Sequence, residues 1–181
     1  MENGRPELED NLAGARMNKG NAFSALGQAA ASIKEFDAAI AILARLVDDG
    51  RPELENDLSS ARMNKGNAFS ALGQAAAAIA EHDAAIAIIA RLMDHGRPEL
   101  RPDLARALAN RAIAFLKIGQ SKKAALDRTS AQELLAAAKR DGMQGLEPLA
   151  SWIASIGAGE PRIRPRFWRW IATLSLRLLN R

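Results

Sequence analysis

The sequence predicts an all-α chain built from repeated helical hairpins. Three observations lead there. The letters ARMNKGNAFSALGQAAA at residues 15–31 recur at residues 61–77. The phrase Gly-Arg-Pro-Glu-Leu begins at Gly4, Gly50 and Gly96, a period of 46 residues. Apolar residues make up 48% of the chain and aromatics only 4%, and an excess of Ala beside Leu, Ile, Glu, Lys and Arg is helix-forming composition.

A period this long marks a repeat architecture, in which one unit cannot bury its apolar faces alone and stacked neighbours can. Units 1 and 2 differ at only ten aligned positions, while unit 3 diverges more. The expected organisation is three hairpins at 4–49, 50–95 and 96–140, together forming a region 1–140. A capping helix follows in 141–160 and a basic amphipathic helix in 161–181. The expected fold class is an α-solenoid of helical hairpins.

Unit 2 shows how each hairpin is specified. Residues 51–73 read as one helix, with Pro52 in the first turn, where a missing N–H costs nothing. Glu53 and Glu55 suit the positive end of the helix dipole. Leu54, Leu58, Ala61, Ala68, Phe69 and Leu72 recur at helical spacing and predict a buried stripe. Gly73 predicts a left-handed cap and a tight turn, as do Gly27 and Gly119. Residues 74–95 read as the second helix, with Ile79, Ala85, Ile86, Ile89 and Leu92 on its packed face.

Gly20, Gly66 and Ala112 stand in the middle of the first helices. A glycine there costs about 1 kcal/mol against alanine, so a close helix contact is expected, with Phe23, Phe69 and Phe115 packing nearby. Ser32, Ala78 and Ala124, then Ala39, Ala85 and Ala131, supply small positions on the second helices.

This pattern of small residue, aromatic, turn glycine, small residue and alanine (Gly66, Phe69, Gly73, Ala78, Ala85) resembles the tetratricopeptide repeat over roughly residues 4–140. NKGNAFSALG is also similar to that family's common N-x-G-x-A-Y-x-x-L-G phrase. Two departures stand out. The period is 46, against about 34 for the family and about 40–47 for HEAT-like repeats. Ala44, Ala90 and Ala136 occupy the usual place of a proline. The departures suggest helices extended by a turn or two, and a HEAT-like stack is the alternative.

The resemblance implies that the first helices line a concave groove. It implies that Asn18, Asn64 and Asn110, with Asn21 and Asn67 a turn later, form a ladder of amides that holds an extended peptide. An Asn amide suits this, donating to a peptide C=O while accepting from its N–H. The family's clamp for a terminal carboxylate matches only partly. Asn21, Asn64 and Arg106 stand at matching places, but Met17 and Asn110 replace its cations. Lys19, Lys65 and Arg111 recur beside the ladder, either extending it electrostatically or lying over the helix with buried stems.

Other chemistry is sparse. There is no cysteine, which excludes disulfides and thiolate chemistry. The only histidines are His82 and His95. His82 aligns with Phe36 and Arg128, and His95 aligns with Asp49 at a helix end. No nucleophile–base arrangement, phosphate loop or carboxylate pair is recognisable, so neither catalysis nor a cofactor or metal is expected. The opening MENGRPELED carries neither a basic leader nor an apolar core, no run of about 18 apolar residues exists, and a cytoplasmic location is expected.

Charge is unevenly spread: residues 1–95 carry a net −5 and residues 96–181 a net +9, giving +4 in all. Beyond Glu160 there are six arginines and no acid. From Pro165 a helix would place Phe167, Ile171, Leu174 and Leu178 on one face, with Trp168 as a further apolar anchor. Such a helix packs on its own chain or a second copy, enters a partner's groove, or lies on an anionic membrane surface. The expected role is a protein–protein interaction scaffold. The alternatives are end-to-end self-assembly into an oligomer or filament, favoured by the absence of a polar N-terminal cap in unit 1, and a membrane-surface adaptor. No nucleic-acid reading motif is present.

Overall fold

The computed structural model describes residues 6–157. Seven helices follow one another without a strand among them: α1 (Pro6–Ala25), α2 (Ala29–Asp48), α3 (Glu55–Ala71), α4 (Ala75–Asp94), α5 (Arg101–Lys117), α6 (Ser121–Arg140) and α7 (Glu147–Ser155). Each helix packs on the next, and the first helices α1, α3 and α5 also touch in sequence. Residues 161–181, including Phe167, Trp168, Ile171, Leu174 and Leu178, lie outside the described residues.

The hairpin turns form as their glycines require. Gly73 has φ +73°, a left-handed conformation that costs an L side chain about 1–2 kcal/mol. It lets Gln74 N–H reach back to the Phe69 carbonyl at 2.9 Å, satisfying the end of α3. The same bond joins Gln28 to Phe23 and Gln120 to Phe115.

The close contact inside each hairpin has a definite origin. A Cβ on Gly66 would stand 2.6 Å from His82 Cε1, and one on Gly20 would stand 2.7 Å from Phe36 Cε1. The glycines therefore make room for a ring from the second helix. Ser32, Ala39, Ala78, Ala85, Ala124 and Ala131 are all buried, so α2, α4 and α6 lie close against their partners. Unit 3 differs: Ala112 replaces the glycine, and Arg128 replaces the ring. Arg128 Nη1 instead donates to the Ile156 carbonyl at 2.9 Å, tying α6 to the end of α7. Ile153 and Ile156 are buried against α5 and α6 residues such as Leu108, Phe115 and Leu135.

The seam between units repeats as well. Leu54, Leu58 and Ala61 join Ile40, Leu43 and Leu46 of α2 in one cluster. One unit on, Leu100 and Ala107 join Ile89 and Leu92 of α4, with Leu104 packed alongside.

Two details depart from the sequence reading. The first helix of unit 2 is not continuous, because Pro52–Leu54 forms a 3-10 turn before α3, and Pro98–Leu100 does so before α5. The tighter turn carries Leu54 and Leu100 into the seam. Leu72, expected in the buried stripe, is exposed, as are its equivalents Leu26 and Ile118. All three sit in the hairpin turns, beyond the reach of the neighbouring unit.

Candidate functional site

The face shared by α1, α3 and α5 carries the recurring polar residues. Asn18 and Asn21 are exposed, Asn64, Asn67 and Arg106 are half-buried, and Asn110 is buried. Asn64 Nδ2 donates to Asn21 Oδ1 at 3.2 Å, which joins the side chains of adjacent first helices. One unit on, Asn67 and Asn110 stand at the corresponding sequence positions. Lys117 Nζ spans the same two layers, donating to the Ser70 carbonyl at 2.6 Å. Arg106 pairs with Asp103 one turn earlier at 3.1 Å.

Beside the amides runs a series of ion pairs. Lys19 binds Glu35 at 2.6 Å, Lys65 binds Glu81 at 2.6 Å, and Arg111 binds Asp127 at 2.7 Å. Each pair ties the first helix of a unit to its second. Lys65 also reaches back to Asp37 of the preceding unit at 2.7 Å, and Arg111 reaches back to Asp83 at 2.6 Å. The same cations lie over Phe23, Phe69 and Phe115, at 5.7, 5.6 and 5.7 Å from the ring centroids, within range of a cation–π attraction. Arg16 and Arg62 add further bonds to Glu35 and Glu81.

These contacts set the ionisation of the groups involved. Hydrogen bonds from Arg16 and then Lys19 hold the Glu35 carboxyl below its ordinary value. Burial works to lower the Lys65 pKa, but the bonds to Asp37 and Glu81 outweigh it and raise the ammonium above its ordinary value. The bond to Asp127 raises Arg111, against the effect of burial and with help from Asp83. All three groups are therefore held charged. Lys65 and Arg111 each join three helices through these ion pairs. The acids that hold them went unremarked in the sequence. Their signal is present: an acid stands 16 residues after each cation in every unit.

The two histidines lie in different surroundings. His82 is fully buried in the middle of α4, with neither ring nitrogen hydrogen-bonded. Burial lowers its pKa to about 4. His95 is an exposed residue at the C-terminal end of α4. Among the described residues, no group of three or more His, Asp or Glu is placed to hold a metal ion, and no helix is long and apolar enough to cross a membrane.

No family model and no curated protein matches the chain.

Proposed function

We propose that the chain is a tetratricopeptide-like α-solenoid that serves as a non-catalytic interaction scaffold in the cytoplasm, and that it binds an extended peptide segment of a partner along the α1–α3–α5 face. The Asn21–Asn64 amide pair carries this reading. One bond between the two amides leaves a carbonyl oxygen on Asn64 and an NH2 on Asn21 for a ligand backbone. Asn18 and Asn67 extend the row on either side, and Asn110 closes it at its buried end. The charged residues alongside are already paired, so recognition here is through neutral hydrogen bonds to the peptide backbone.

Selection of random peptides on the full chain tests the proposal. Selected peptides should lose about tenfold in affinity against an Asn21→Ala/Asn64→Ala variant, the loss of one to two net hydrogen bonds. A control at exposed Lys34 on α2 should bind as the parent does. Peptides indifferent to the double variant, or no selectable peptide at all, would remove the reading.

A further inference from the structure

The outward face of α1 repeats, residue for residue, a surface that is buried elsewhere in the same molecule. Leu8, Leu12, Ala15, Lys19 and Ala22 on α1 are identical to Leu54, Leu58, Ala61, Lys65 and Ala68 one unit on. In unit 2 Leu54, Leu58 and Ala61 pack against α2, and Lys65 bonds Asp37 on that helix. Leu54 is 5% exposed and Leu58 8%, whereas Leu8 is 58% exposed and Leu12 47%. Ala15 and Ala22 are exposed, while Ala61 and Ala68 are buried. Lys65 holds two acids, Glu81 on its own hairpin and Asp37 on the preceding helix; Lys19 holds its own Glu35 at the matching position. The local backbone differs too. Pro-Glu-Leu is a 3-10 turn where Leu54 and Leu100 enter a seam, and it is part of continuous α-helix at the start of α1.

We propose that this face is a docking site for a helix of a partner protein that carries the outward face of α2. The seams define the chemistry of that helix. In α2 it is Asp37, Ile40, Leu43 and Leu46, and in α4 it is Asp83, Ile86, Ile89 and Leu92. The partner helix thus presents an acid for Lys19, followed by aliphatic residues three, six and nine positions on that cover Leu8, Leu12 and Ala15. A second copy of the chain does not offer this surface. α2 and α4 are occupied by α3 and α5, and α6 is covered by α7. On α6 the matching positions are Thr129, Gln132, Leu135 and Ala138, without the acid and with only one large aliphatic residue. Residues 161–181 contain no acid for Lys19.

The probe is a labelled peptide of residues 29–50, AAASIKEFDAAIAILARLVDDG, titrated with the full chain and followed by fluorescence anisotropy. It should bind saturably. Leu8→Glu with Leu12→Glu should weaken binding by about tenfold or more, because the apolar contact is lost, and should leave the circular dichroism spectrum of the protein unchanged. An Asp37→Lys peptide should bind the parent chain more weakly and recover against a Lys19→Glu chain. Absence of binding overturns the proposal, as does binding indifferent to the leucine changes or a charge swap without recovery. A self-associated chain dispersed by Leu8→Glu/Leu12→Glu also overturns it, by assigning the face to a second copy.

Discussion

The His82 imidazole occupies the space where a side chain on Gly66 would begin: a Cβ there would lie 2.6 Å from Cε1 and 2.8 Å from Nδ1. This contact sets the closeness of α3 and α4.

Gly66→Ala should therefore destabilise the protein although alanine is the better helix former. The propensity gain is about 1 kcal/mol, and the overpacking penalty at a rigid buried ring is about 1–3 kcal/mol. Gly14→Ala is the control, since nothing lies within 4 Å of a Cβ there, and it should stabilise by about 0.5–1 kcal/mol. Urea melts of the two variants should move in opposite directions.

Stability should fall in mild acid because of His82. Its folded pKa is lowered by burial from an ordinary 6.5 to about 4. Below pH about 6.5 the unfolded chain takes up a proton that the folded chain refuses. The contribution is intact above that pH, declines as pH falls towards about 4, and levels off below; its full size is roughly 3 kcal/mol. His82→Phe, copying Phe36, should remove this part of the pH dependence. Parallel curves for parent and variant between pH 7 and 4 would contradict the assignment.

Arg111→Met should cost roughly 3–5 kcal/mol, because it leaves the buried Asp127 carboxylate without its cation. Arg111→Met combined with Asp127→Leu should recover most of that loss, since replacing both partners with apolar groups is near neutral. A double-mutant cycle by chemical denaturation gives the coupling directly.

Leu54→Ala and Leu8→Ala change the same letter in the same sequence context. The first empties a buried seam and should cost about 2–5 kcal/mol. The second acts on an exposed side chain and should stay within about 0.5 kcal/mol. Thermal melts should separate them clearly.

Much of this was legible from spacing alone. The hairpins, the left-handed glycines at 27, 73 and 119 and the small positions on α2, α4 and α6 follow from local periodicity and turn chemistry. The amide row was legible as a recurrence, but the Asn21–Asn64 bond depends on how near α1 and α3 come, which no single helix encodes. The ion-pair series was less visible, because Lys65 draws partners from two helices in different units. His82 showed the limit most clearly: its alignment with Phe36 and Arg128 does not reveal that it is among the largest fully buried side chains of the described residues. Its role follows from the missing side chain opposite, at Gly66.

The two seams use the same residue positions, and this has a consequence for how the chain can change in length. A second copy of residues 50–95 placed after His95 would present Leu54, Leu58, Ala61 and Lys65 to the Asp83 side of α4, and would then offer its own Asp83 to Arg111. Every junction in the longer chain would match a type already in place, and α7 with Arg128 would still close the last one. Growth by whole 46-residue steps is thus open to a single recombination event, whereas an insertion of one residue within α3 or α5 would rotate the cations away from their acids.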